Sequence, residues 1–143
     1  MPACWSLPRM DKSIADDALL ERACHLKWAF NAKPDMVIRV APNRAVCIEM
    51  KLESGVGKYP STSLDRAVFK ARGLAPVLQT DVQRYLMVDL LGFETSFILL
   101  CTAPGEDRGA HRTLTWSTLF RALDLGGTPA FVRRTISAVL ERA

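Results

Sequence analysis

Apolar residues recur at helical spacing in two long stretches of the chain. Over residues 14–28 they return every three to four positions, and Ser13 with Asp16 three residues later resembles a helix capping box. The second stretch begins after Pro76, a residue favoured at helix starts, and ends before Gly92, a residue favoured just past helix ends. The pattern predicts a first helix over 14–28 and a later helix of about four turns between Pro76 and Gly92.

Other segments complete the predicted order of elements. The nearly continuous apolar run at 95–103 is typical of a strand that is covered on both faces. Residues 52–63 collect Gly, Ser and Pro without periodicity, which predicts a surface loop that leads into a short helical turn at 64–70. Two closing helices are predicted at 115–123 and 129–143.

Two short apolar runs, MVIRV at 36–40 and AVCIEM at 45–50, are rich in β-branched residues and meet at the turn dipeptide Pro42-Asn43. They predict an antiparallel hairpin, and the helix and buried strand that follow predict a crossover unit in a mixed sheet. Side chains alternate between the two faces of a strand. The odd positions hold every charge of the two runs, so we expect the apolar even positions to face the core: Met36, Ile38, Val40, Val46, Ile48 and Met50.

Packing also predicts the register of this hairpin, because a slip of one residue would turn one strand over. Odd positions must face odd positions, which requires a connection with an odd number of residues. If three residues form the connection, Asp35 falls opposite Lys51 and Val37 falls opposite Glu49. Opposite Cβ atoms lie about 5 Å apart and diagonal ones about 7 Å, so the three charged side chains would form one cluster.

Composition and charge limit the class of protein. A chain of 143 residues with 49% hydrophobic and 24% charged residues is typical of one globular domain, predicted over 13–143 and preceded by a loose arm at 1–12. No apolar run approaches the roughly 20 residues of a membrane span, and the N-terminus lacks an export-signal pattern, so we expect a cytoplasmic protein without membrane contact. Of the four scattered cysteines we expect three in the core. A net charge of +4 permits a polyanionic partner.

The charged cluster suggests chemistry as well as folding. Carboxylates on adjacent strands can share a hard cation such as Mg²⁺, with the backbone carbonyl of Met50 and water completing an oxygen shell. The Lys51 ammonium, on the same face, can lower the pKa of a water or stabilise charge that develops on a phosphate. The simpler alternative is a solvated sheet face on which Lys51 pairs with Asp35.

The residues Pro34-Asp35 and, fourteen positions after the Asp, Glu49-Met50-Lys51 resemble the signature of the PD-(D/E)XK nuclease superfamily. The resemblance covers roughly 14–103 and implies an α/β fold with a restriction-endonuclease-like three-layer core, in which a mixed sheet carries the motif on a β-hairpin and is flanked by helices. It implies Asp35 and Glu49 as metal ligands and Lys51 as the catalytic lysine. One departure is that the family usually has a strand before the Pro-Asp strand, and here the sequence offers KWAFNA at 27–32 for it.

Many members of the family add an acid from the first helix and a Gln from the helix after the Glu-x-Lys strand. Here Glu21 is the candidate acid, with Asp17 as its rival, and Gln83 is the candidate Gln, with Gln79 one turn away on the same face. Each is also an ordinary residue of a solvated helix surface. His111 lies in a polar loop and is expected at the surface. Five basic residues follow the motif and either line a phosphate track or are simply solvated: Lys58, Arg66, Lys70, Arg72 and Arg84.

The leading hypothesis is a nuclease that depends on Mg²⁺ or Mn²⁺ and hydrolyses phosphodiester bonds, with DNA as the expected nucleic-acid partner. The second is a non-catalytic binding or regulatory module that retains the nuclease fold. The third is a structural subunit whose partner supplies the activity, and the size of the chain also allows a homodimer.

Overall fold

The structure is a computed structural model and describes residues 5–52, 55–102 and 111–141. The strands are β1 (Met36–Ala41), β2 (Arg44–Met50), β3 (Lys58–Tyr59), β4 (Val77–Leu78), β5 (Glu94–Cys101) and β6 (Arg112–Thr115). The helices are α1 (Leu7–Ser13), α2 (Asp17–Ala29), α3 (Ser63–Ala71), α4 (Gln79–Arg84), α5 (Trp116–Ala122) and α6 (Ala130–Leu140), and α4 continues into a π-helical segment at Tyr85–Leu90. None of the described helices is long and apolar enough to cross a bilayer.

A mixed sheet in the order β1-β2-β5-β6 forms the centre of the described fold. Strand β2 is antiparallel to β1 and parallel to β5, which in turn is parallel to β6. The predicted crossover unit is therefore confirmed, because the chain leaves β2, passes through α3 and α4 and returns as β5. The apolar run of β5 reflects its place between two strands, where Leu99 and Leu100, on opposite faces, are both buried. The α/β class with a mixed sheet is confirmed.

The N-terminal residues pack on the domain, so the predicted loose arm is wrong for its described part. Residues 7–13 form α1, and Leu7 is 1% exposed within the main core. The Arg72 guanidinium fixes this helix to α2: it donates to the carboxylates of Asp11 at 2.7 Å and Asp17 at 2.8 Å, and to the carbonyl oxygen of Ile14 at 2.9 Å. Arg72 therefore has a structural role and is no longer a candidate for the predicted phosphate track.

Helix α2 begins at Asp17, and its cap is Asp16, whose Oδ1 accepts a hydrogen bond from the Leu19 N–H at 2.8 Å. The predicted capping box is wrong, because Ser13 is the last residue of α1 and its hydroxyl donates to the Arg9 carbonyl oxygen. Because α2 extends to Ala29, the sequence KWAFNA contributes to a helix and does not supply a strand before the motif. The helical core beneath the sheet contains Leu7, Leu20, Cys24, Trp28, Ala29, Ala32, Phe69 and Val82. Three cysteines are buried as expected, Cys24, Cys47 and Cys101.

The helix predicted between Pro76 and Gly92 begins at Gln79, because Val77 and Leu78 pair with Lys58 and Tyr59 as a small two-stranded ribbon. The predicted loop at 52–63 thus contains a strand. The end of the helix is as expected, since Gly92 adopts a φ of +70°, a conformation that glycine reaches without a steric penalty. The helical turn predicted at 64–70 is present within α3, which is capped by Thr62.

The faces of β2 are the reverse of the prediction. On β2 the odd residues Ala45, Cys47 and Glu49 are 3%, 0% and 1% exposed, whereas the even residues are half-buried. The small Ala45 and Cys47 side chains let the π-helical segment approach closely, and Met87 packs against them. The face of β2 that is buried is therefore decided by small side-chain size, which permits close packing, and not by the larger number of apolar atoms on the even face.

Strand β1 lies at the edge of the sheet, and the prediction that its even residues face the core is wrong. Met36 and Ile38 are each 44% exposed and Val40 is 59% exposed. Among the described elements β1 has its extensive contacts with β2 alone. The edge position leaves both faces of β1 in water, a feature that parity in the sequence does not encode.

The register keeps odd residues opposite odd residues, with Val37 paired to Cys47 and Arg39 to Ala45. The connection has two residues, however, and an irregularity between Arg39 and Ala41 absorbs the extra one. The predicted odd-length connection is wrong for this reason. Continuing the observed ladder by one pair places Asp35 opposite Glu49, where we had expected Lys51.

Strand β6 was not predicted, and it changes the environment of His111. The ring of His111 is 5% exposed and lies 4.9 Å, between ring centroids, from Phe97, so the predicted surface location is wrong. Neither ring nitrogen has a hydrogen-bond partner among the described residues. Burial lowers the pKa of His111 to about 4, because the charged imidazolium loses its hydration.

We expect His111 to make the fold sensitive to acid. The pKa of an unfolded-state histidine is about 6.5, so protonation favours the unfolded chain once the pH falls below that value. The contribution of neutral His111 to stability is complete above pH 6.5 and is lost between there and about pH 4, by roughly 3 kcal/mol in total. Urea unfolding of the parent and His111→Phe across this range measures it. The carboxylates titrate in both proteins, so parallel stability curves would contradict the assignment.

Candidate catalytic site

The candidate site is centred on the buried carboxylate of Glu49, near the end of β2. Its Oε1 accepts a hydrogen bond from Gln79 Nε2 at 2.9 Å and lies 2.6 Å from the Lys51 ammonium. Its Oε2 accepts a hydrogen bond from Gln83 Nε2 at 2.5 Å. Three donors therefore converge on one carboxylate.

This arrangement explains how the fold tolerates an acid that is 1% exposed. A buried ionised carboxylate is costly unless it is paired and hydrogen-bonded, and Lys51 supplies the opposite charge while the two amides supply neutral donors. An ionised carboxylate has about four acceptor positions, so three donors leave one of them open. Glu49 is thus held in place and keeps capacity for one further ligand.

Helix α4 supplies both amides, because Gln79 and Gln83 lie four residues apart on one face. The sequence favoured Gln83 and left Gln79 as an alternative, and the structure brings both to Glu49. Gln83 is fully buried, and its Nε2 also lies 3.3 Å from the carbonyl oxygen of Lys33, just before β1. Gln83 therefore links α4 both to β2, through Glu49, and to the residues just before β1, through Lys33.

Asp35 is exposed and stands immediately before β1. Its Oδ2 accepts a hydrogen bond from the Met50 backbone N–H at 2.7 Å, which ties the carboxylate to the end of β2. The simpler alternative, in which Lys51 pairs with Asp35, is wrong, because the ion pair of Lys51 in the described structure is with Glu49. Asp35 thus keeps an exposed carboxylate beside the buried one.

Glu21 is not brought to this cluster. It lies half-buried on α2 near Cys24, and within the described residues its side chain forms no hydrogen bond or ion pair with Asp35, Glu49 or Lys51. Its rival Asp17 is paired with Arg72. The first helix therefore contributes no acid to the contacts of the site, and the role predicted for Glu21 lacks structural support.

The donor set suits a hard divalent cation in its chemistry. Asp35, Glu49 and the Met50 carbonyl offer oxygen ligands, which Mg²⁺ and Mn²⁺ prefer. The buried Gln83 Oε1 has no hydrogen-bond partner among the described residues, and an unsatisfied acceptor beside a carboxylate suits the water shell of such an ion. The described residues contain no group of three or more His, Cys, Asp and Glu side chains that could hold a metal, so a cation here would rest on two carboxylates.

The segment at 57–59 also borders the site, and sequence analysis considered only Lys58 of it, as part of a phosphate track. The Gly57 carbonyl oxygen accepts a hydrogen bond from the Gln79 N–H at 2.8 Å, and a Cβ added to Gly57 would lie 3.0 Å from Gln79 Oε1. Tyr59 stacks on Trp28, and burial and the charge of Glu49 raise the pKa of its hydroxyl. The two glycines of the sequence ESGVGKYP were the available signal, but their meaning depends on the ribbon formed by β3 and β4.

We expect Gly57→Ala to displace the Gln79 side chain, since the added methyl group would crowd its amide oxygen. A shift of a few tenths of an ångström would weaken the hydrogen bond from Gln79 to Glu49, which should cost at most about 1 kcal/mol of stability. The side-chain amide resonance of Gln79 in an NMR spectrum measures the displacement directly. Gly55→Ala is the matched control, because a Cβ at Gly55 meets no atom within 4 Å. Equal spectra for the two variants would contradict this role for Gly57.

Lys51 is fixed through its backbone. Its N–H donates to the Leu100 carbonyl oxygen at 2.7 Å, and its own carbonyl oxygen accepts from the Trp116 indole N–H at 3.2 Å. Trp116 begins α5, so the C-terminal part of the chain supports the lysine from beyond the sheet. No sequence motif marks this residue.

The chain matches no protein-family model, no curated protein and no solved structure.

Proposed function

We propose that the protein is a metal-dependent nuclease that hydrolyses phosphodiester bonds, most readily in DNA. The observation that carries the proposal is the Lys51 ammonium at 2.6 Å from the buried Glu49, with the exposed Asp35 tied to the neighbouring backbone. A buried structural ion pair also needs its remaining acceptors satisfied, which the two amides do, but it would not need a second acid beside it. An acid held by three donors beside a second, exposed acid is instead the kind of arrangement that fixes ligands before a substrate arrives.

Asp35 and Glu49, with the Met50 carbonyl, would hold Mg²⁺ or Mn²⁺, which when bound supplies a Lewis acid for the phosphate and its attacking water. Lys51 places a positive charge where the phosphorane-like transition state gains negative charge. Gln79 and Gln83 act as positioning residues, because they orient Glu49 and do not need to touch the substrate.

We also propose that the domain has a restriction-endonuclease-like core. In a restriction-endonuclease-like core, helices would cover both faces of the mixed sheet, with α2 and α4 on the side that holds Glu49. The hydrogen bonds from Gln79 and Gln83 of α4 to Glu49, and the contacts of α2 with α4, support the placement of these two helices. The homodimer that the sequence allows stays a prediction, which sedimentation velocity over a range of protein concentrations would test.

The direct test is a time course with labelled single-stranded, duplex and branched DNA and with RNA, each in Mg²⁺, Mn²⁺ or EDTA. We expect products with a divalent metal and none in EDTA. If no substrate is cut with either metal while nucleic acid is still bound, the protein is the non-catalytic binding module that forms the alternative proposal.

A further inference from the structure

An apolar cleft of about 450 Å³ lies beside α3, outside the cluster around Glu49. This volume is within the range of pockets that hold small organic groups. Its walls are formed by side chains from α3, from the turn after it and from the end of the ribbon strand β3: Pro60, Arg66, Phe69, Lys70, Leu74 and Pro76. The turn is made by Gly73, whose φ of +68° lets the chain reverse and bring Leu74 under the helix.

Two cations stand at the rim of this cleft. Arg66 and Lys70 lie four residues apart on α3, hence on one face, and both are exposed. Within the part of the chain that the structure describes, neither of them forms an ion pair, since Asp65, the acid beside Arg66, is paired with Lys27 at 4.0 Å. On the opposite side of α3 the guanidinium of Arg72 is engaged by two carboxylates. The rim therefore presents two positive charges to solvent without local neutralisation.

The ribbon of β3 and β4 lies between the cleft and the candidate site. Pro60 and Pro76 of the cleft wall flank one end of the ribbon, and Gln79, which donates to Glu49, follows its other end. A strand bound at both places would run along this ribbon.

We propose that this cleft binds one nucleotide of a single-stranded nucleic acid, with the base against the apolar walls and its phosphate between Arg66 and Lys70. The inference rests on the proposed nuclease function and names its substrate class as strands with unpaired bases, because a base inside a duplex is not free to enter a pocket. The walls hold few polar atoms, so the site should bind different bases with similar affinity.

The test measures binding in EDTA, so that cleavage does not interfere. Fluorescence anisotropy of a labelled single-stranded 12-mer is followed over a series of salt concentrations for the parent and the Arg66→Ala/Lys70→Ala double variant. The matched control is Arg121→Ala/Arg134→Ala, which removes the same charge from exposed positions on α5 and α6. We expect at least about a tenfold loss of affinity for the cleft variant and a salt slope smaller by about 0.7, which corresponds to one phosphate that is no longer neutralised. Equal losses in the two double variants would overturn the proposal.

The apolar walls are tested separately by NMR titration of the parent with inorganic phosphate, with deoxyadenosine monophosphate and with the unlabelled 12-mer. The side-chain signals of Leu74 and Pro76, the accessible apolar residues of the walls, should shift with the nucleotide and the 12-mer, and the nucleotide should bind about tenfold or more tightly than phosphate. Binding of phosphate as tightly as the nucleotide would overturn the role of the walls. Tighter binding of the free nucleotide than of the 12-mer would overturn the strand as the ligand.

The two proposals fail in distinguishable ways. If the parent cuts no nucleic acid with Mg²⁺ or Mn²⁺ but the cleft variant loses affinity for the 12-mer, the nuclease is wrong and the nucleotide site is supported. If the parent cuts and the cleft variant binds the 12-mer as the parent does, the nuclease is supported and the nucleotide site is wrong.

Discussion

Replacing Lys51 with Ala is expected to reduce metal-dependent cleavage by about 10²–10³ fold, the usual scale for the loss of one preorganised electrostatic stabiliser. The Lys51 ammonium lies 2.6 Å from Glu49, and its side chain is 17% exposed, so the charge is partly shielded from solvent. Neither Gln79 nor Gln83 carries a charge that could replace it. Rates at saturating labelled DNA in Mn²⁺ measure the effect.

Lys51→Ala removes the counter-charge of a buried acid and should cost about 3 kcal/mol of stability, so rates are compared where urea unfolding shows the variant to be folded. Glu49 keeps its hydrogen bonds from Gln79 and Gln83 after Lys51→Ala, and the backbone bonds of residue 51 to Leu100 and Trp116 do not depend on its side chain. Far-UV circular dichroism checks the fold. Lys12→Ala, an exposed lysine on α1, is the control for a general loss of positive charge. A Lys51→Ala variant that cuts as fast as the parent would exclude the mechanism.

Much of the site could be predicted from sequence because its residues lie close together along the chain. Asp35, Glu49 and Lys51 belong to one hairpin, where alternation and pairing follow from local geometry. Gln83 and Gln79 were recognisable as a pair because residues four apart on a helix lie on the same face. The contact of these amides with Glu49 could not be predicted, since it depends on how α4 docks on the sheet.

The errors have physical causes that are not local. The hairpin face was assigned by counting apolar residues, but the helices pack on the smaller side chains of Ala45 and Cys47. His111 was placed at the surface because its neighbours in sequence are polar, while β6 carries it against Phe97. The N-terminal arm was predicted to be loose because its pattern is weak, but Arg72, about sixty residues later, anchors it through Asp11. In each case a distant segment decided the outcome.

The two acids of the site should respond differently to substitution. Asp35→Ala and Glu49→Ala should each abolish binding of Mn²⁺, because a site with two carboxylates loses half of its charged ligands in either variant. Asp35 is exposed and accepts one hydrogen bond, from the Met50 N–H, so its loss should cost about 1 kcal/mol of stability. Glu49 is buried, and its removal leaves Lys51, Gln79 and Gln83 without their shared acceptor. We expect that change to cost about 3 kcal/mol.

Calorimetric titration with Mn²⁺ and urea unfolding without metal separate the two effects. Asp35→Ala is the decisive variant, since it should no longer bind Mn²⁺ yet remain nearly as stable as the parent. A loss of binding in this variant then cannot be due to unfolding. Unchanged Mn²⁺ affinity in both variants would exclude the metal site. Buried donors that lose their acceptor should destabilise the fold. Equal stability of Glu49→Ala and the parent would therefore show that the three donors do not hold a charged acid.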